Sequence, residues 1–186
     1  NLSSWLSKLP GIGRRTAERL AMKIVRDPDG IAAGLVSAIE AARDTIRCCS
    51  KCGNITPASE DPCVLCTSPR RDGSILCVVE DPGDILVIER SAGYRGRYHA
   101  LMGKISPMKG NGPGMLRIDE LLNRVKDEEI EEVILALSTD VEGDSTASYI
   151  EDRLGGAGIK VSRLAYGLPA GSGISYSDPV TLSKAI

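Results

Sequence analysis

The sequence predicts an α/β protein assembled from unlike pieces: a helical N-terminal module, a metal-stapled cysteine segment, a parallel α/β domain and a short tail. Three observations predict it. Apolar residues recur at helical spacing through the first 47 positions, two Cys-x-x-Cys pairs follow, and from Ile75 strand-sized apolar runs alternate with helical patterns. The expected boundaries are 1–47, 48–70, 71–166 and 167–186.

In the first piece, Leu2, Trp5, Leu6 and Leu9 share a helical face, and Leu9-Pro10-Gly11-Ile12-Gly13 makes a tight connection. The pattern resumes at Arg14 with Ala17, Leu20, Ala21 and Ile24 on one side. Asp27-Pro28-Asp29-Gly30 is a turn, and Ile31, Leu35, Val36, Ile39, Ala42 and Ile46 mark another helix. Residues 48–69 hold five of the six cysteines and have neither helical nor strand period, so they need a staple. Ile75–Val79 is a continuous apolar run, as a buried parallel strand requires. Asp81-Pro82 caps a helix to about Glu89. Further strands are expected at Arg97–Met102, Val133–Leu137 and Ile159–Ala165. Further helices centre on Ile118–Val125 and on Ala147–Leu154, the last ended by Gly155-Gly156. The tail is Gly/Ser-rich and then mildly apolar at Val180, Leu182 and Ile186, and no pattern places it.

Composition narrows the function classes. The chain of 186 residues is 42% apolar and 26% charged, too apolar for disorder. No apolar run approaches the ~20 residues that span a bilayer, and no signal-peptide pattern opens it, so no membrane partner and a cytoplasmic location are expected. Six cysteines in that setting argue for metal rather than disulfides. One Trp, five Tyr and no Phe weaken a base-stacking platform. Net charge is −2, yet residues 1–26 carry six basic side chains against one acidic, and the local field decides whether a polyanion docks.

Two short helices joined by Leu-Pro-Gly-Ile-Gly resemble the helix-hairpin-helix motif of DNA-binding proteins. Gly11 and Gly13 let the backbone approach a phosphate, and the unpaired N–H groups at the next helix start favour an anion. Arg14 and Arg15 stand there, and Arg15, Arg19 and Lys23 continue at four-residue spacing on one face. Such contacts read backbone, not base sequence; a capped hairpin with a solvated basic face is the bland alternative.

Cys49-x-x-Cys52 and Cys63-x-x-Cys66, ten residues apart, can complete one tetrahedral Zn²⁺ shell per chain. All-thiolate ligation means a closed, structural site; a redox pair or an iron–sulfur cluster competes with it. Cys48 is a spare and Cys77 a small core residue. His99, the sole histidine, reads as a packing or hydrogen-bonding residue. Pro69-Arg70-Arg71-Asp72 is either a phosphate contact or a solvated hinge.

Glu80 ends the first strand of the sheet, and Asp140, Glu142 and Asp144 follow the third. Ligands in open parallel sheets gather at such carboxyl ends, and converging carboxylates suit Mg²⁺. The order strand–Glu, then strand–Ser138-Thr139-Asp140-Val141-Glu142-Gly143-Asp144, resembles the Toprim domain of topoisomerases and primases. By that resemblance Glu80 matches an acid/base Glu and Asp140 the second Asp of an Asp-x-Asp pair. Ser138 stands in place of the first, removing one carboxylate from the metal set. The same acids would equally serve as caps of the following helix.

Taken in order, Leu9–Gly13, the paired Cys-x-x-Cys, Pro69–Asp72, Cys77-Val78-Val79-Glu80, Leu101–Pro107 and Val141–Ala147 resemble the RecR family of bacterial recombination mediators over nearly the whole chain. That resemblance implies a non-enzymatic DNA-repair protein at the bacterial nucleoid. It implies a homotetrameric ring able to encircle DNA, and cooperation with RecO and RecF to load RecA on single-stranded DNA coated by single-strand-binding protein. It further implies DNA contacts from Arg15 and Arg19, and a zinc segment that fixes the angle between helical module and sheet domain. The acidic edge becomes a docking surface for partner proteins, and the tail is a segment that could exchange between subunits. The alternatives are a Mg²⁺-dependent nuclease or topoisomerase-like enzyme using Glu80 and Asp140, and a zinc-stabilised adaptor without DNA contact.

Overall fold

The computed structural model describes every residue except Ala157, Tyr166, Pro169, Ala170, Ser172 and Ile186. The boundary residue Tyr166 and the apolar Ile186 of the tail therefore lie outside the described residues. The chain forms two compact units, Asn1–Arg47 with Pro57–Ser59, and Cys48–Thr56 with Glu60–Ile186. The cysteine segment thus belongs with the sheet domain.

In the first unit, α1 (Leu2–Leu6) is capped by the Asn1 side chain, which accepts from Ser4 N at 3.0 Å. It packs on α2 (Arg14–Val25). Ala17 is buried, with Leu20, Ala21 and Ile24 half-buried beside it, as the spacing requires. The Asp27 carboxylate accepts from Gly30 N and Ile31 N, each at 3.1 Å, and winds a single wide π-type turn over Pro28–Ala32. α3 (Ala33–Thr45) follows. It buries none of its residues: Leu35, Val36 and Ile39 are 43%, 55% and 65% exposed.

β1 (Ile46–Cys48) and β2 (Ile55–Pro57) pair as a small sheet, and α4 (Val64–Thr67) follows Cys63. These pieces are three or four residues long, too short to leave a period in the sequence.

The sheet domain alternates β3 (Ile75–Val79), α5 (Pro82–Arg90), β4 (Arg97–Ala100), α6 (Ile118–Asp127), β5 (Glu132–Ala136), α7 (Val141–Leu154) and β6 (Lys160–Arg163). All four strands are parallel, in the order β4-β3-β5-β6. Residues of β3 alternate between two cores. Leu76 and Val78 face Leu121 and Val125 of α6 and Ile150 of α7; Cys77 and Val79 face Ile85 of α5 and Tyr98. Cys77 is therefore a core residue, as expected. α8 (Pro179–Ala185) lies in the tail.

β4 and β6 are shorter than expected, and β5 keeps the expected five residues but starts one position earlier. β4 stops at Ala100 because Met102 takes φ +64° and Gly103 φ +141°, backbone that cannot continue a ladder. β5 stops at Ala136, and two residues on the Ser138 amide turns to the Glu80 carboxylate. Strand order reverses between β3 and β5, so Glu80 and Ser138–Asp140 meet where open α/β sheets leave a crevice.

Candidate functional site

The hairpin elbow is open backbone. Gly11 takes φ +77°, which favours glycine, and a Cβ at Gly11 or Gly13 would meet nothing within 4 Å. Gly13 caps α2 without any side-chain hydrogen bond, so the first-turn N–H groups face outward with their partial positive charge. Arg14 Nε donates to Glu18 at 3.1 Å. Arg15, Arg19 and Lys23 are exposed, and none meets a carboxylate among the described residues. The expected basic row is therefore present with its charge uncompensated, and Arg14 is the one member already engaged.

The four cysteines form a group able to hold a metal ion: their sulfurs lie within 4.8 Å of one another, and all four are buried. Cys52 and Cys63 Sγ are 3.5 Å apart, Cys49 and Cys66 Sγ 3.9 Å. A tetrahedron with ~2.3 Å metal–sulfur bonds has edges of about 3.8 Å, so the residues fit such an ion. Amides point at the sulfurs: Asn54 N to Cys52 at 3.4 Å and Cys63 N to Cys49 at 3.3 Å. Burial pushes the Cys49 thiol up, but the amides of Cys52, Cys63 and Lys51 outweigh it and bring it down to about 7. Burial, then neighbouring Cys52, raises Cys63 to about 11. Cys48 is exposed and outside the group.

The cysteine segment is bolted to the sheet domain by contacts that no local motif reveals. Ala100 N donates to Cys52 O at 2.8 Å. Arg117 Nη2 donates to the Ser50 and Lys51 carbonyls at 3.1 and 3.2 Å. Lys51, Arg97 and Arg124 converge on Glu128 at 3.2, 3.0 and 2.7 Å. Burial raises the Glu128 carboxyl, yet Arg124 and Lys51 hold it below its ordinary value. These pairs span up to 77 positions of sequence, from Lys51 to Glu128.

At the acidic edge, Glu80 and Asp140 face each other across Ser138 and Lys104, while Glu142 and Asp144 pair elsewhere. Lys104 Nζ sits 2.6 Å from Asp140 Oδ2, 2.9 Å from Ser138 Oγ and 3.5 Å from Glu80 Oε2. Ser138 N donates to Glu80 Oε1 at 2.7 Å, and Gly143 N to Asp140 Oδ1 at 2.7 Å. Asp140 is thus the cap of α7, and Lys104 first, then the Gly143 amide, lower its carboxyl to about 2. Glu142 accepts from Ser106 Oγ and pairs with Lys109 at 3.2 Å; these two hold its carboxyl below the usual range. Asp144 pairs with Arg163 at 3.2 Å. Among the described residues no three of these acids form a metal-holding group. An ammonium occupies the gap between Glu80 and Asp140, and the other two acids face separate cations.

His99 is fully buried in β4, its Nε2 2.8 Å from Arg117 O, which matches its reading as a packing and hydrogen-bonding residue. Burial lowers its pKa to about 3, so it is neutral.

The hairpin, the four-cysteine segment and the parallel sheet define a helix-hairpin-helix and Toprim protein. The family described as "RecR, helix-hairpin-helix" matches residues 1–43, and "Toprim domain" matches residues 74–165. "Recombination protein RecR" of Moorella thermoacetica is 51% identical over 97% of this chain and 89% of its own length. Its namesake in Desulfatibacillum aliphaticivorans is 47% identical over 100% and 92%. The namesake in Bifidobacterium longum subsp. infantis is 47% identical over 96% and 88%. The chain belongs to the RecR family.

Proposed function

We propose that this protein is a DNA-binding recombination mediator that breaks no bonds. It acts in recombinational repair at the bacterial nucleoid and helps RecO and RecF load RecA on single-stranded DNA. The observation that carries the reading is the hairpin: an open glycine elbow, outward amides and an uncompensated row of Arg15, Arg19 and Lys23. These groups match a sugar–phosphate backbone and no particular base. The relatives' name supports recombination as the process.

Zn²⁺ is the ion we assign to Cys49, Cys52, Cys63 and Cys66, held for structure. The acidic edge, with Glu142 and Asp144 on exposed ion pairs, serves as a docking surface for partner proteins. Its neutralisation by Lys104 supports docking over Mg²⁺-dependent cleavage. The bare apolar face of α3 supports assembly with further copies of the chain, a tetrameric ring in this reading.

The test is binding to labelled oligothymidylate over roughly 50–200 mM salt. Arg15→Glu with Arg19→Glu should weaken binding and flatten the salt dependence by about 0.7 log–log units for each phosphate of the single strand that is no longer neutralised. Unchanged affinity and slope would refute the hairpin as the DNA site.

A further inference from the structure

We propose that a cavity of about 340 Å³ on the sheet domain, beside the cysteine segment, is a second phosphate site for a nucleic-acid strand. Its walls include Val64, Leu65, Arg70, Arg71, Tyr94 and Arg95. All belong to the second unit.

The three arginines are not equivalent. Arg71 is spent on the fold: its guanidinium pairs with Glu89, donates to Gly96 O at 2.9 Å and lies over the Tyr98 ring. Glu89 also accepts from Tyr98 Oη at 2.6 Å, so the one carboxylate of the cavity is committed. Arg70 and Arg95 are exposed, and neither guanidinium meets a carboxylate among the described residues. The cavity therefore carries two uncompensated positive charges, on forks suited to phosphate oxygens.

The site is held in shape before any ligand arrives. Asp72 N donates to Arg95 O at 2.9 Å and so ties the segment after Arg70 to the loop that carries Arg95. The Tyr94 hydroxyl is fixed on the carbonyls of Arg97 and Ile75 at 2.9 and 3.2 Å. Gly96 permits this, because a Cβ there would stand 2.2 Å from that hydroxyl. Ala92, on the cavity wall, holds φ +53°, backbone that alanine rarely adopts. Apolar and aromatic walls beside unpaired guanidiniums suit a sugar–phosphate strand. An acidic peptide would need only the charge.

The inference rests on the DNA-binding reading of the hairpin, and the two can fail separately. Arg70→Glu with Arg95→Glu, in the full zinc-loaded chain, is compared with the hairpin double variant on labelled oligothymidylate. Both positions are exposed and unpaired, so folding is retained, checked by thermal melting and zinc content. The expected result is a salt slope lower by about 1.4, from two phosphates at ~0.7 each, while Arg70→Lys with Arg95→Lys keeps it. Separated sites add, so combining cavity and hairpin changes should lower the slope by both amounts. A cavity variant with the parental slope overturns the proposal, whatever the hairpin variant does. So does a parental slope accompanied by failure to bind polyglutamate or inorganic phosphate, which would assign the cavity to an acidic protein or a small anion. A flat response of the hairpin variant alone would sink the hairpin and leave the cavity standing.

Discussion

The basic row of the hairpin unit and the ion-pair networks of the sheet domain treat charge in opposite ways, and the two units differ as much in buried apolar surface. Of residues 1–47 only Ala17 is buried, while Arg15, Arg19 and Lys23 point outward unpaired. In the sheet domain, Glu128 gathers three cations and Lys104 lies among Asp140, Ser138 and Glu80. A cation with an intramolecular carboxylate must break that pair to take a ligand; one without it has nothing to give up. The contrast separates cations left without a carboxylate from cations consumed in folding.

Removing the metal is the largest expected effect, and it should fall on one side of that contrast. Structural zinc contributes on the order of 10 kcal/mol of coupled folding free energy. The core of the cysteine segment is little more than its four sulfurs and Leu65. Chelation, or Cys63→Ser, should melt residues 48–70 first. Melting of that segment strips the Ala100 amide of its acceptor, the Cys52 carbonyl, so deprotection should spread into β4 in hydrogen exchange. Trp5 fluorescence, which reports the hairpin unit alone, should change little. Simultaneous loss of both signals would mean that the two units are not independent in this respect.

Acid should separate the units next. His99 is neutral and buried with its pKa near 3, against an ordinary value of 6.5. Between these values the unfolded chain binds the extra proton, so stability rises with pH. The contribution is complete above about 6.5 and is lost as pH falls toward 3, with a slope approaching 1.4 kcal/mol per pH unit. Between pH 7 and pH 5 this is worth about 2 kcal/mol. His99→Gln should lower that pH dependence of sheet-domain unfolding by about this amount, whatever it does to stability at pH 7. A variant with the parental slope would show that His99 is not the acid-labile group.

Local pattern carried much of this architecture. The Cys-x-x-Cys pairs were legible because each knuckle is four residues long, and β3 because a strand buried on both faces must be apolar throughout. The elbow was legible because its chemistry is consecutive. Long-range pairing was not. Nothing near Lys104 announces that it will meet Asp140, 36 positions on, and nothing near Arg117 announces the Ser50 carbonyl. The carboxylates of the acidic edge could be named from sequence, but the cations that quench them could not. Nor could the sequence reveal that the apolar stripe of α3 stays bare, since an amphipathic pattern states that a face wants covering without stating what covers it.

The smallest effect tests that quenching directly. Asp140 is exposed on its helix cap, and its carboxyl is held to about 2 by Lys104 first and by the Gly143 amide second. In Lys104→Met the amide remains and the ammonium goes. The Asp140 carboxyl, followed by NMR titration, should move up toward its ordinary value of 3.8 without reaching it. Stability should change little, because solvent screens an ion pair at the surface. The informative arm is Mg²⁺. With the ammonium removed, Glu80 and Asp140 are left as two facing carboxylates with the Ser138 hydroxyl between them. If Lys104 is what keeps a divalent ion out, Mg²⁺ should perturb the Glu80 and Asp140 resonances in the variant and leave them in place in the parent. Equal perturbation in both would mean that the lysine yields to the ion, and that this edge is not spent on structure after all.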